Sequence, residues 1–138
     1  MTAAMATGPA APTVPRAERT LAGACFRLAV VLLRLPLRRS VATVGWISRC
    51  TARPASVAEA EAAVAAVRAA TRRYPGRAAC LERSLATVLL TGLHRRRVSW
   101  CVGARLLPYA GHAWIEVDSH PVGEPAAPDR PYLPLFRV

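Results

Sequence analysis

Two residues of this chain combine a reactive side chain with a setting that could activate it, Cys80 and His112. Cys80 follows the chain-breaking pair Pro75-Gly76 and opens an apolar run whose period predicts a helix from Ala78 to about Leu93, closed by Gly92. A thiol in the first turn of a helix meets unpaired backbone N–H groups and the positive end of the helix dipole, and both favour a thiolate. The same amides can hold the oxyanion that forms when a thiolate attacks a carbonyl. Most single cysteines are structural, so this position alone decides nothing. His112 supplies the base that such chemistry needs. It follows Gly111 at the opening of an alternating stretch, His112–Val117, which predicts a strand with Ile115 and Val117 on one face and His112, Trp114 and Glu116 on the other. A cysteine on a helix start and a histidine on a following strand is the arrangement that thiol–imidazole catalysis uses. The competing reading is a histidine that merely caps an edge strand.

An imidazole acting as base is normally oriented by a third group through its other ring nitrogen. Asp118 is near in sequence, but at ~3.3 Å per residue it stands roughly 20 Å from His112 along the same strand. With Asp118-Ser119 as a two-residue hairpin loop, Val117 pairs with His120, Ile115 with Val122 and Ala113 with Glu124. Glu124 then arrives beside the histidine, with a local twist or bulge needed to aim it. Asp129 is a further alternative, and Glu116 is assigned to the sheet face.

The elements that must position these groups are legible along the chain. Residues 1–16 read as a disordered tail. Residues 17–55 read as a basic helical segment, and its apolar stretch Leu21–Arg39 is interrupted by Arg27 and Arg34 and ended by Pro36. That pattern fits neither a transmembrane helix nor a signal peptide. Arg27, Arg34 and Arg38 share a helical stripe opposite Leu, Val and Phe, a surface for a membrane or a partner, or simply one side of a packed helix. Residues 56–138 read as the chemistry-bearing domain. It opens on a helix from Val57 to Arg73, with Ser56 and Glu59 in a capping-box arrangement and Val57, Ala60, Val64 and Val67 as its apolar stripe. In the helix that starts near Cys80, Leu81, Leu85, Val88 and Leu89 face burial, while Cys80, Ser84, Thr87 and Thr91 form a small, weakly polar stripe. Val98–Leu106 and a short return strand, His120–Glu124, complete a small sheet. The Pro-rich tail reads as irregular, with Tyr132, Leu133, Leu135 and Phe136 available to pack back.

Composition sets the outer bounds. The formal charge is +11, with 19 basic residues, all arginine, against 8 acidic ones. An arginine-only basic set fits a GC-rich bacterial genome at least as well as selection for an acidic partner. Aromatic residues make up only 6% and do not interleave with the basic ones, which argues against nucleic-acid binding. Cys25, Cys50, Cys80 and Cys101 form no short pair, so reduced thiols in a cytosol are the simpler reading than disulfides. A metal site from Cys80, Cys101 and His112 lacks the usual local spacing, and no cofactor is expected.

Two blocks carry a more specific resemblance. Cys80-Leu81-Glu82-Arg83-Ser84 and His112-Ala113-Trp114-Ile115-Glu116 match, in order and separation, the Cys-Leu-x-Arg-Ser helix start and His-Ala-Trp-x-Glu strand of the leader peptidases of lasso-peptide biosynthesis. The likeness covers about residues 75–125. It implies an α+β, transglutaminase-like (papain-like) cysteine protease core, with a catalytic helix packed on a small antiparallel sheet and helices before it. It further implies a Cys-His-acid triad of Cys80, His112 and, on the returning strand, Glu124, where the family carries Asp. The implied activity is removal of the leader from a ribosomally made precursor peptide in a bacterial cytoplasm. Implied partners are that precursor, a separate leader-recognition protein and an ATP-dependent lasso cyclase. The rivals are an acyl transferase with the same nucleophile and a non-catalytic basic protein that binds a membrane surface or nucleic acid.

Overall fold

The computed structural model describes residues 13–72, 80–106, 109–123 and 133–138. Four helices precede and cover an antiparallel sheet: α1 (Arg16–Leu33), α2 (Leu37–Cys50), α3 (Val57–Thr71) and α4 (Cys80–Leu93). A short parallel pair, β1 (Arg53–Pro54) and β2 (Arg96–Arg97), ties the approach to α3 to the exit of α4. The main sheet contains β3 (Ser99–Leu106), β4 (Tyr109–Val117), β5 (His120–Val122) and β6 (Leu133–Arg137), in the spatial order β5-β4-β3-β6.

The helices form for reasons visible in their ends and faces. α3 begins with the expected capping box: the Ser56 hydroxyl accepts from the Glu59 amide while the Glu59 carboxylate accepts from the Ser56 amide. Glu59 also bonds Arg53 and Arg96, so one side chain joins the start of α3 to both strands of the parallel pair. The buried face of α3 is Ala60, Ala63, Ala66 and Val67, whereas Val57, expected on that stripe, is exposed. Pro36 splits the basic apolar stretch into α1 and α2, so Arg38 belongs to a different helix from Arg27 and the single stripe of three arginines does not exist. α1 buries Ala22, Cys25, Phe26 and Ala29 against α3 and α4, while Leu28 and Val31 are exposed.

Gly92 is not the terminator of α4. It lies inside the helix, where a Cβ would sit 2.7 Å from the Ile47 side chain, so its smallness lets α2 approach. The left-handed residue that ends the helix is Arg95, at φ 58°.

The core lies between α4 and the sheet. Trp100, Leu85, Leu90 and Val88 are essentially inaccessible, each stabilising the fold by ~1.5–3 kcal/mol relative to exposure for the aliphatic members. Ile115, Val117 and Val122 complete the sheet's inner face, as their alternation requires.

The β4–β5 hairpin has the register derived from its sequence, with Val117 opposite His120 and Ile115 opposite Val122. Asp118 and Ser119 both take positive φ, 50° and 64°, the backbone of a two-residue type I′ turn. The C-terminal segment departs from expectation. Leu133–Arg137 forms a strand on β3, with a register shift between Val102 and Gly103, and Phe136 packs edge-on against Trp100 with ring centroids 5.8 Å apart. The two-sided pairing of β3 with β4 and β6 stabilises a sequence too rich in proline to read as a strand. Residues 1–12 of the proposed tail, the Tyr74-Pro75-Gly76 break, Ala78 and Tyr132 lie outside the described residues.

Candidate active site

α4 begins at Cys80, which is half-buried, and its next turns carry Ser84 and Thr87 towards the sheet. The small polar stripe on this helix has a specific use. The Trp100 indole N–H donates to the Ser84 hydroxyl at 2.9 Å inside the core, which fixes the rotation of α4 against β3. The Thr87 and Thr91 hydroxyls turn back on their own helix and donate to the carbonyls of Arg83 and Thr87. Position and rotation of the helix that carries Cys80 are therefore set by the buried Trp100–Ser84 hydrogen bond together with aliphatic packing.

His112 stands within β4, not at its opening. The strand is continuous from Tyr109, and Gly111 pairs with Ala104 without a bend. His112 shares its face with Trp114 and Glu116, as the alternation predicts. Its imidazole stacks on the Trp114 indole, with centroids 5.8 Å apart and planes inclined by 17°. Opposite His112 on β3 is Gly103, where a Cβ would lie 2.7 Å from the Trp114 ring and 2.5 Å from the Leu133 carbonyl oxygen. Only glycine leaves room there for both the indole and the neighbouring strand.

Cys80 and His112 line one cavity of about 190 Å³. Its walls come from α3 through Val64, Val67 and Arg68, from α4, and from the β4 segment His112–Ile115. The described part of β5 ends opposite Ile115, so over His112–Trp114 no described strand flanks β4 on that side. Arg68 donates to the Gly123 carbonyl and thereby holds the end of β5 against α3. Gly123 takes φ +73°, and a Cβ there would meet Val64 at 2.8 Å.

Asp118 lies in the hairpin turn at the far end of β4, where its carbonyl oxygen contacts His120 Nδ1, so it does not reach His112. Glu124 and Asp129 lie outside the described residues. Glu116 is only 4% exposed and belongs to the sheet face as expected, but it has partners the sequence did not reveal. Its carboxylate accepts from the Arg137 guanidinium at 3.0 and 3.1 Å and from the Cys101 thiol at 3.1 Å. Burial and this hydrogen bond push the Cys101 thiol up to about 12. Burial and the nearby Glu18 raise Cys25 to about 11. These two sulfurs are kept protonated, and neither lines the cavity that holds Cys80.

Among the described residues no helix is long and apolar enough to cross a membrane. The arrangement supplies a thiol in a helix's first turn and an imidazole on a strand, facing a common space large enough for a few substrate atoms. No curated protein and no solved structure gives a match. The family model of the transglutaminase-like superfamily matches residues 4–137, nearly the whole chain, and that superfamily includes cysteine peptidases and acyl transferases. With its helix-borne cysteine, strand-borne histidine and antiparallel sheet, this α+β chain belongs to the transglutaminase-like superfamily.

Proposed function

We propose that the protein is a cysteine peptidase that removes the leader from a lasso-peptide precursor, with Cys80 as nucleophile and His112 as general base. The observation that carries this reading is the shared cavity of Cys80 and His112 in a transglutaminase-like domain, together with the two sequence blocks that surround them. His112 takes the Cys80 proton, and the sulfur attacks the scissile carbonyl. Amides of the first turn of α4 stabilise the oxyanion. His112 then protonates the departing amine of the core peptide, leaving the leader as a thioester on Cys80. Water activated by His112 releases the leader as a free acid. Glu124 is the proposed orienting acid, with Asp129 the alternative on the same segment. A separate recognition protein delivers the precursor, and an ATP-dependent cyclase consumes the freed core, in the cytoplasm of a bacterium.

Incubation with a candidate precursor and its recognition protein tests this by product mass. The reading requires a free leader acid and a free core amine, and loss of both with Cys80→Ala. A cross-linked product would identify an acyl transferase, and undiminished cleavage by the alanine variant would remove Cys80 from the chemistry.

A further inference from the structure

α2 takes no part in the proposed chemistry, and its two sides are built of different material. The inner side buries Ser40 and Val44 and brings Ile47 against Gly92 of α4. On the outer side Arg38, Arg39, Ala42, Trp46, Arg49 and Cys50 are all exposed. A helix turns about 100° per residue, so these six lie within an arc of about 120° along about 18 Å of helix. Trp46 stands between Arg39 on one flank and Arg38 and Arg49 on the other. It is 60% exposed, whereas Trp100 and Trp114 are buried. In the linear sequence the tryptophan is separated from these arginines; only the helix interleaves them.

The charge on this face has one sign. From Arg19 to Ala58 the chain holds seven arginines and no acidic residue. Arg38, Arg39 and Arg49 make no ion pair among the described residues. Packing of the isolated fold gives Trp46 no reason to be there, since most of the indole stays in water. The outer side of a single helix is convex, and without an acid it offers no alternating charges for a patterned partner. Its complement is a surface that is uniformly negative and can take an indole at its border with water. The headgroup layer of an anionic lipid bilayer has both properties, attracting arginine by its surface potential and tryptophan by its interface.

We infer that the outer face of α2 is a peripheral docking surface for an anionic membrane, with Arg38, Arg39 and Arg49 on the headgroup phosphates and the Trp46 indole at the interface. The inference stands independently of the peptidase reading. α2 contributes no wall to the cavity of Cys80 and His112, so the docking face and the candidate active site are separate. Each arginine held near such a surface strengthens binding about fivefold. The attraction fades within a Debye length, about 10 Å at 0.1 M salt.

The test is co-sedimentation of the full chain with vesicles of phosphatidylcholine alone and of phosphatidylcholine mixed with phosphatidylglycerol. The chain should bind the anionic vesicles, ignore the neutral ones and be released by raised salt. Because the other two tryptophans are buried, a blue shift of emission and quenching by brominated lipid report Trp46, and both should vanish with Trp46→Phe. Arg38→Gln, Arg39→Gln and Arg49→Gln together should weaken binding about a hundredfold. Arg16→Gln, Arg19→Gln and Arg72→Gln make the same change in net charge at exposed positions in the first turn of α1 and at the end of α3. That control should cost no more than about fivefold. No binding of the unsubstituted chain to anionic vesicles, equal losses in the two triple variants, or binding without a Trp46 signal overturns the inference. A labelled single-stranded oligonucleotide is titrated in parallel. Its capture through the same three arginines, with vesicles left unbound, would overturn the membrane assignment in favour of nucleic acid.

Discussion

The His112 imidazole lies nearly parallel to the Trp114 indole, 5.8 Å away between centroids, and the indole itself rests over Gly103. This stack fixes the plane of the proposed base through two residues that perform no chemistry. Trp114→Leu is expected to lower single-turnover cleavage by about ten- to a hundredfold, because small misplacements of a catalytic group are that costly. Trp114→Phe should retain most of the rate. Gly103→Ala forces its new methyl against both the indole and the Leu133 carbonyl, and should cost about 1–3 kcal/mol of stability as well as activity. Cleavage rates and denaturant melts on the same samples separate the two effects.

Ser84 accepts the buried Trp100 indole N–H and donates to the Leu81 carbonyl of its own helix, and the first of these bonds should carry most of its effect. Ser84→Ala leaves the donor unsatisfied and should destabilise by about 1–3 kcal/mol. In a Trp100→Phe background the same change should cost much less. Equal costs in both backgrounds in urea melts would show that the hydrogen bond does not orient α4.

Glu59 gives the stability a defined pH signature. Its hydrogen bonds from Arg96, Ser56 and Arg53 lower its carboxyl from the ordinary value of 4.5 to about 2. A folded pKa below the unfolded one means that the contribution is complete above about 4.5 and is lost as pH falls towards about 2. Glu59→Gln should therefore lower the melting temperature at neutral pH, and the gap from the unsubstituted chain should close through this window. A gap that is constant from pH 7 to 2 would contradict the assignment.

The four cysteines should separate cleanly under brief alkylation at mildly alkaline pH. Cys101 and Cys25 are buried and held at about 12 and about 11, so iodoacetamide should modify them only after unfolding. Cys80, half-buried in its cavity, and exposed Cys50 should react in the folded protein. Peptide mapping of the modified chain reads this directly, and early labelling of Cys101 would mean that its bond to Glu116 is not maintained in solution.

Local patterns carried much of this into the sequence. The Ser56–Glu59 capping box and the Asp118-Ser119 hairpin depend on neighbours a few residues apart, and both formed as expected. The alternation of β4 likewise separated Ile115 and Val117 from His112, Trp114 and Glu116. What was illegible depends on distant partners. Gly92 reads as a helix stop until Ile47 is brought against it, and Leu133–Arg137 reads as irregular until β3 provides its pairing. The Glu116–Arg137–Cys101 contact joins three separate stretches of chain, and no local period marks it. Which face of α1 is buried also depends on distant partners: α3 and α4 pack on Ala22, Cys25, Phe26 and Ala29, while Leu28 and Val31 are exposed. Gly103 gave no signal in the sequence beyond breaking a run of strand-forming residues.

The most direct test is intact-mass analysis of the enzyme quenched during turnover of a precursor. If Cys80 is the nucleophile, an adduct equal to the leader acyl fragment maps to the peptide that contains Cys80, is absent with Cys80→Ala and forms slowly with His112→Ala. Cleavage that proceeds undiminished in Cys80→Ala, with no adduct on the enzyme, would contradict it.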